Sequence, residues 1–247
     1  MNTTAFRPVV VIPVFDHEHA VGAMVDGVLA VGQACLLVDD GSRPSCAAVL
    51  QDLARREGVH LVRLEVNQGK GGAMLAGFRE AGRMGASHVL QIDADGQHDT
   101  ADIPRFLAAS EAEPGAVITG APCYDESVPK GRLYGRYLTH VWVWINTLSL
   151  DIRDSMCGFR VYPLDQVLPL IDAEPPGRRM DFDPDILVRL HWRGVPVRNI
   201  VTPVRYPSDG VSHFDLWRDN VRISRLHARL FFGMLWRLPR LLRRKWA

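Results

Sequence analysis

The run PVVVIPVF at residues 8–15 is apolar without interruption and bounded by prolines. A strand buried on both faces reads this way, whereas a half-solvated strand alternates. Outward from it, residues 35–38, 59–64, 87–92 and 116–119 repeat the short β-branched pattern. Helical spacings fill 17–31, 44–57, 70–84 and 100–110 between them. Alternating strands and helices require crossover connections, which predicts an α/β fold with a mostly parallel central sheet and helices on both faces. In such sheets ligands sit beyond the carboxyl ends of the strands. The first, second and fourth strands end in Phe15-Asp16, in Asp39-Asp40-Gly41-Ser42 and in Asp93-Ala94-Asp95-Gly96-Gln97. Three polar or acidic clusters are therefore expected to converge on one rim.

The second half is less regular. A helical spacing covers 130–150, a compact polar and glycine-containing segment 154–162, a further helix 180–193 and an extended stretch 195–206. The 247 residues, 47% of them hydrophobic, suffice for one sizeable core. Twenty-nine Lys and Arg against 28 Asp and Glu exclude a disordered polymer and a generally basic nucleic-acid binder, so no nucleic acid is expected as a partner. The four cysteines have no zinc spacing, and a reducing, cytoplasmic compartment is expected. No secretory leader and no membrane-spanning run is read from the chain.

Asp93-Ala94-Asp95 ends a strand reading HVLQI. Two carboxylates turned toward one point share a proton or a cation, and hard divalent ions take oxygen ligands together with substrate phosphates. Gln97 offers a third oxygen. The plainer alternative is a pair of solvated loop carboxylates, with Asp99 or Thr100 capping the next helix. Asp39 and Asp40 suit hydrogen bonding to a ribose or base, or a simple turn capped by Ser42. The stretch Asn67 to Ala73 lacks the Ser or Thr of a phosphate loop after Lys70, and Met74 breaks a dinucleotide fingerprint. What remains is a glycine-rich helix entry carrying one lysine. His17 and His19 lack a zinc-site spacing.

Charge is unevenly placed. Between Arg218 and Ala247 nine basic residues face one acidic residue, a net +8 that leaves the rest of the chain at −7. Arg218, Arg222, Arg225 and Arg229 fall on one helical face, and Arg240 and Arg243 would continue it unless Pro239 kinks or ends the helix. The reading is a domain at 1–213 and a basic amphipathic C-terminal helical segment at 214–247. That segment suits an anionic membrane surface through 218–247, or packing on the body or an oligomer contact with a solvated arginine face.

Taken in order, Pro13-Val14-Phe15, Val38 to Ser42, Asn67 to Ala73, Asp93 to His98 and Cys157-Gly158-Phe159-Arg160 resemble the family 2 glycosyltransferases with a GT-A fold. The likeness is nearest to the dolichol- and polyprenyl-phosphate mannosyl- and glucosyltransferases and covers about residues 8–213. It implies inverting transfer of a hexose from a GDP- or UDP-linked sugar to a polyprenyl phosphate at the cytoplasmic membrane face. Pro13, Phe15, Asp16, Asp39, Asp40, Lys70, Asp93 and Ala94 would hold the donor, and Asp93, Asp95 and Gln97 would hold Mg²⁺ or Mn²⁺. Arg132, Arg136, Ser155, Arg160, Arg205, Ser212 and His213 would face the acceptor phosphate. Asp95 would be catalytic. The chain departs from the family at Asp16-His17, at Gly120-Ala121-Pro122 and at Pro207, where the family carries Asn-Glu, Gly-Ser-Arg and an arginine.

Two other functions compete. A hydroxyl acceptor would need a general base, for which Asp183 or Asp185 is the expected residue. A non-catalytic nucleotide-sugar binding module would bind nucleotide without metal-dependent turnover.

Overall fold

The computed structural model describes residues 5–124, 130–205 and 215–246. Seven strands form one sheet in the order β3-β2-β1-β4-β6-β5-β7. The N-terminal half alternates as expected: β1 (Pro8–Val14), α1 (Val21–Ala30), β2 (Cys35–Asp39), α2 (Pro44–Leu53), β3 (Val59–Arg63), α3 (Lys70–Arg83), β4 (His88–Gln91), α4 (Ile103–Ala112) and β5 (Val117–Tyr124). Then follow α5 (Lys130–Thr147), β6 (Arg160–Pro163), α6 (Leu164–Ala173), α7 (Phe182–Arg193), β7 (Val197–Val204) and α8 (Leu216–Trp246).

Strand alternation sorts β1 between two cores. Val9 and Val11 point into one with Leu36, Val38, Phe78 and Phe182, while Val10, Ile12 and Val14 point into the other with Leu37, Leu50 and Phe106. A strand covered on both sides has no polar face to show, which is why 8–15 reads as continuously apolar.

β6 departs from the predicted order. It inserts between β4 and β5 and runs antiparallel to both, Leu90 opposite Val161 and Thr119 opposite Arg160. Neither this strand nor α6 was anticipated from the polar and glycine-containing segment at 154–162.

α8 runs unbroken through Pro239. Its Leu226, Leu230, Met234 and Leu241 join the same buried cluster as Phe182 and Leu190 of α7. The amphipathic stripe thus packs on the body, where its apolar burial outweighs the one backbone hydrogen bond that a proline forgoes. Among the described residues no helix is long and apolar enough to cross a membrane.

Candidate active site

The strand ends of β1, β2 and β4 open onto a cavity of about 500 Å³. Pro13, Phe15, Asp40, Lys70, Asp93, Ala94, Asp95 and Gln97 all line it, as the strand order requires. Asp183 from α7, Met156, and Arg179 and Met180 complete the far wall. Asp215, just before α8, and Arg218, Asp219 and Arg222 in its first turns also line the cavity. Two arginines of the basic stripe, Arg218 and Arg222, therefore border it. Helical spacing alone gives the face of a helix but not the neighbour it meets.

At the centre stands Lys70, the first residue of α3. Its Nζ lies 2.8 Å from Asp93 Oδ1 and Oδ2 and 2.8 Å from Asp183 Oδ2. It donates to Asp93 Oδ2, and its charge also faces the buried Oδ1, which has no other donor. Burial alone would drag the lysine's pKa down, but Asp183 and Asp93 hold it above its ordinary range. Burial would likewise raise Asp93, yet Lys70 keeps it below the usual carboxylate range. Asp95 goes the other way: burial, then the neighbouring Asp93 carboxylate, push it up to about 6. Its Oδ1 accepts from the Gln97 backbone N–H at 3.1 Å.

Two neighbouring buried carboxylates served by a single ammonium, which Asp183 also shares, fit a divalent ion by the chemistry of their oxygen donors. Asp93, Asp95 and the Gln97 oxygen are the residues that could hold it. Among the described residues no three Asp, Glu, His or Cys side chains form a cage by themselves.

Two glycines make this geometry attainable. A Cβ at Gly158 would overlap Asp93 Oδ2, so the backbone of the Cys157-to-Arg160 motif makes room for that carboxylate. At Gly69, with φ +86°, a Cβ would overlap Arg179 Cδ and the Arg178 carbonyl. The glycine-rich entry to α3 is thus packed against residues 177–179. The Gly72 N–H donates to the Arg178 carbonyl at 2.9 Å, Arg179 to Asn67 Oδ1, and Arg178 to Gln68 Oε1 at 3.1 Å.

Several expected site residues are engaged elsewhere. Asp40 lines the cavity, but both its oxygens also accept backbone N–H groups at 2.7 Å, from Gln68 and Gly69. Asp39 does not line it: its carboxylate accepts the Ser42 N–H at 2.8 Å and pairs with Arg63 at 2.7 Å. Asp16, with left-handed backbone, is tied to the Arg43 N–H and guanidinium rather than to the cavity. Asp185 also turns away, because residues two apart on a helix diverge by about 200°. Its buried carboxylate takes Arg189 Nε at 2.6 Å, Arg229 Nη2 at 2.8 Å and the Gly177 N–H at 2.9 Å.

The expected acceptor-side residues also differ. Arg160 is fully buried and binds Thr119, Tyr162 and Asp183; its Nη2 has no hydrogen-bond partner but is buried too, so no exposed guanidinium faces a phosphate. Arg136 grips Asp154 through two hydrogen bonds of 2.6 and 3.0 Å. Ser155, also buried, lies 3.2 Å from His140 Nδ1. Arg205 is exposed and its backbone N–H donates to the Gln97 carbonyl at 3.1 Å. The Arg132 side chain, Ser212 and His213 lie outside the described residues.

The profile described as Glycosyl transferase family 2 matches residues 9–168. The chain is similar to polyprenol monophosphomannose synthase of Mycolicibacterium smegmatis, 30% identical over 184 residues, covering 67% of this chain and 64% of that one. It is also similar to dolichyl-phosphate beta-glucosyltransferase of Dictyostelium discoideum, 22% identical over 253 residues, covering 92% and 74%. The fold matches glucosyl-3-phosphoglycerate synthase from Mycobacterium tuberculosis, solved with Mn²⁺, uridine diphosphate and glucosyl-3-phosphoglycerate, with a TM-score of 0.69 at 16% identity, covering 93% of this chain and 80% of that one. With the rim carboxylates and the glycine-rich α3 entry inside a matched region that covers more than half of its residues, the chain belongs to glycosyl transferase family 2.

Proposed function

We propose that this protein transfers a hexose, with inversion, from a GDP- or UDP-linked sugar to a polyprenyl phosphate at the inner face of the cell membrane. One observation carries the choice of acceptor. Asp183, the α7 carboxylate that reaches the cavity, has both oxygens occupied: Oδ1 by Gln91 at 3.2 Å and Arg160 at 3.3 Å, Oδ2 by Lys70 at 2.8 Å. Asp185 is sealed in ion pairs. A hydroxyl acceptor needs a base turned toward it, whereas Asp183 stays tied to Gln91 and Arg160 through Oδ1 whether or not Lys70 remains on Oδ2. A phosphate acceptor is already anionic and needs none.

Pro13, Phe15 and Asp40 would receive the nucleoside at the β1 and β2 ends. Asp93, Asp95 and Gln97 would hold Mg²⁺ or Mn²⁺, which supplies the positive charge that stabilises a departing nucleoside diphosphate. Arg218 and Arg222 line the cavity and would attract an acceptor phosphate in exchange for their present partners, Asp215 at 3.8 Å and Asp219 at 2.7 Å. Membrane attachment is supported by α5 and α8, which pack through Trp142 against His227 and Phe231. Those helices leave Leu138, Val141, Ile145, Phe232, Leu235 and Trp236 exposed. Arg225, Arg240 and Arg243 make no ion pair among the described residues and suit an anionic bilayer.

The test is nucleoside diphosphate release from a panel of GDP- and UDP-sugars with Mn²⁺, with and without undecaprenyl phosphate. Lipid-dependent release with a glycolipid product supports the reading. Glycosylation of a soluble alcohol without any lipid product overturns it in favour of a hydroxyl acceptor, and nucleotide binding without turnover favours a binding module.

A further inference from the structure

The geometry points to Lys70 as an internal counter-cation that fills the divalent-ion position until the donor diphosphate arrives, so that metal and nucleotide bind as a pair. This rests on the metal reading of Asp93 and Asp95 given above. The ammonium stands 2.8 Å from both Asp93 oxygens and 2.8 Å from Asp183 Oδ2. A divalent ion on Asp93 would sit about 2.0–2.6 Å from the same oxygens. The two cations cannot share that carboxylate without strong repulsion, and Lys70 must leave first.

The surroundings allow it to leave. Lysine carries a point charge on a flexible four-carbon stem, here rooted beside Gly69 at the start of α3. When it moves away, Asp183 keeps Arg160 and Gln91 on Oδ1. Asp93 would be left bare, which is the condition for taking up a metal. A diphosphate in the cavity offers the displaced ammonium a new anionic partner. The nucleotide therefore exchanges the internal cation for the external one.

The experiment measures Mn²⁺ affinity of the full chain by electron paramagnetic resonance, with and without uridine or guanosine diphosphate, for the wild type, Lys70→Met and Lys70→Arg. The wild type is expected to bind Mn²⁺ alone weakly and at least tenfold more tightly with nucleotide. Lys70→Met should bind Mn²⁺ alone at least tenfold more tightly than the wild type and lose most of the nucleotide's effect, while Lys70→Arg stays near the wild type. Equal Mn²⁺ affinity of wild type and Lys70→Met, with the nucleotide effect intact in both, overturns the inference and leaves the metal reading standing. Absence of Mn²⁺ binding in every form, nucleotide present, removes the metal reading and the inference with it. A measurement on the wild type does not depend on a variant folding: the chain has only three lysines, Lys70, Lys130 and Lys245. With ¹⁵Nζ-labelled lysine, the Lys70 resonance should hold in Mg²⁺ alone and move with Mg²⁺ plus nucleotide. A resonance unmoved by both overturns the proposal.

Discussion

The two flanks of the cavity hold their carboxylates with a different balance of partners. On the β1–β2 side the partners include backbone N–H groups: Ser42, one turn on, for Asp39, and from other loops Arg43 for Asp16 and Gln68 and Gly69 for Asp40. On the β6–α7 side they are guanidinium groups from remote elements: Arg136 of α5 on Asp154, Arg160 of β6 on Asp183, and Arg229 of α8 on Asp185. A carboxylate held by N–H groups leaves neutral donors behind when it is removed. One held by arginine leaves a buried charge, so the second wall should be the more fragile although its contacts are stronger.

The largest effect is therefore expected at Asp154. Its carboxylate takes Arg136, His140 and the N–H groups of Met156 and Cys157. Burial opposes its ionisation, but Arg136 and His140 prevail and hold it far below the usual range. Asp154→Ala should cost about 3–5 kcal/mol in urea unfolding, the typical cost of stranding one partner of a buried pair. Asp95→Ala comes next: folding should persist while turnover falls about 10²–10³-fold, the scale of losing one electrostatic stabiliser, and unchanged turnover would reject its role. Asp40→Ala, on the opposite wall, should cost only about 1–3 kcal/mol through two stranded N–H groups. If it proves costlier than Asp154→Ala, the contrast between the walls is wrong.

The same contrast explains what could be read in advance. The rim at Phe15, Asp40 and Asp93 was legible because parallel strands bring their carboxyl ends together whatever the side chains do. β6 was not, because a four-residue strand carrying Arg160 has no apolar signature. That arginine is tolerable inside only with Thr119, Tyr162 and Asp183 around it, three partners from three elements. Asp183 and Asp185 looked interchangeable as bases, yet helical geometry alone separates them, one toward Lys70 and one toward Arg229. The destination of α8 was open for a similar reason: its stripe of Leu226, Leu230 and Met234 specifies a partner surface without saying which.

The junction of α8 with α5 gives the smallest and most selective test, because it separates packing from charge. His227 is buried, stacks on Trp142, and has Nδ1 3.3 Å from Asn146 Nδ2, while its Nε2 meets no partner. Burial pushes its pKa down to about 4, against roughly 6.5 in the unfolded chain. The folded state thus keeps the ring neutral while the unfolded state protonates it first. Its contribution is complete above pH 6.5 and is lost as pH falls toward 4. Burial also lowers His98 to about 4 and, in direction, His191, so the wild-type slope is a sum. His227→Phe isolates one member by keeping a ring against Trp142 and removing the proton. Relative to the wild type, this variant should gain about 1–2 kcal/mol between pH 7.5 and pH 5 in paired urea titrations. Parallel pH profiles of the two proteins would mean that His227 is already solvated, and that α8 is not seated on α5 in solution.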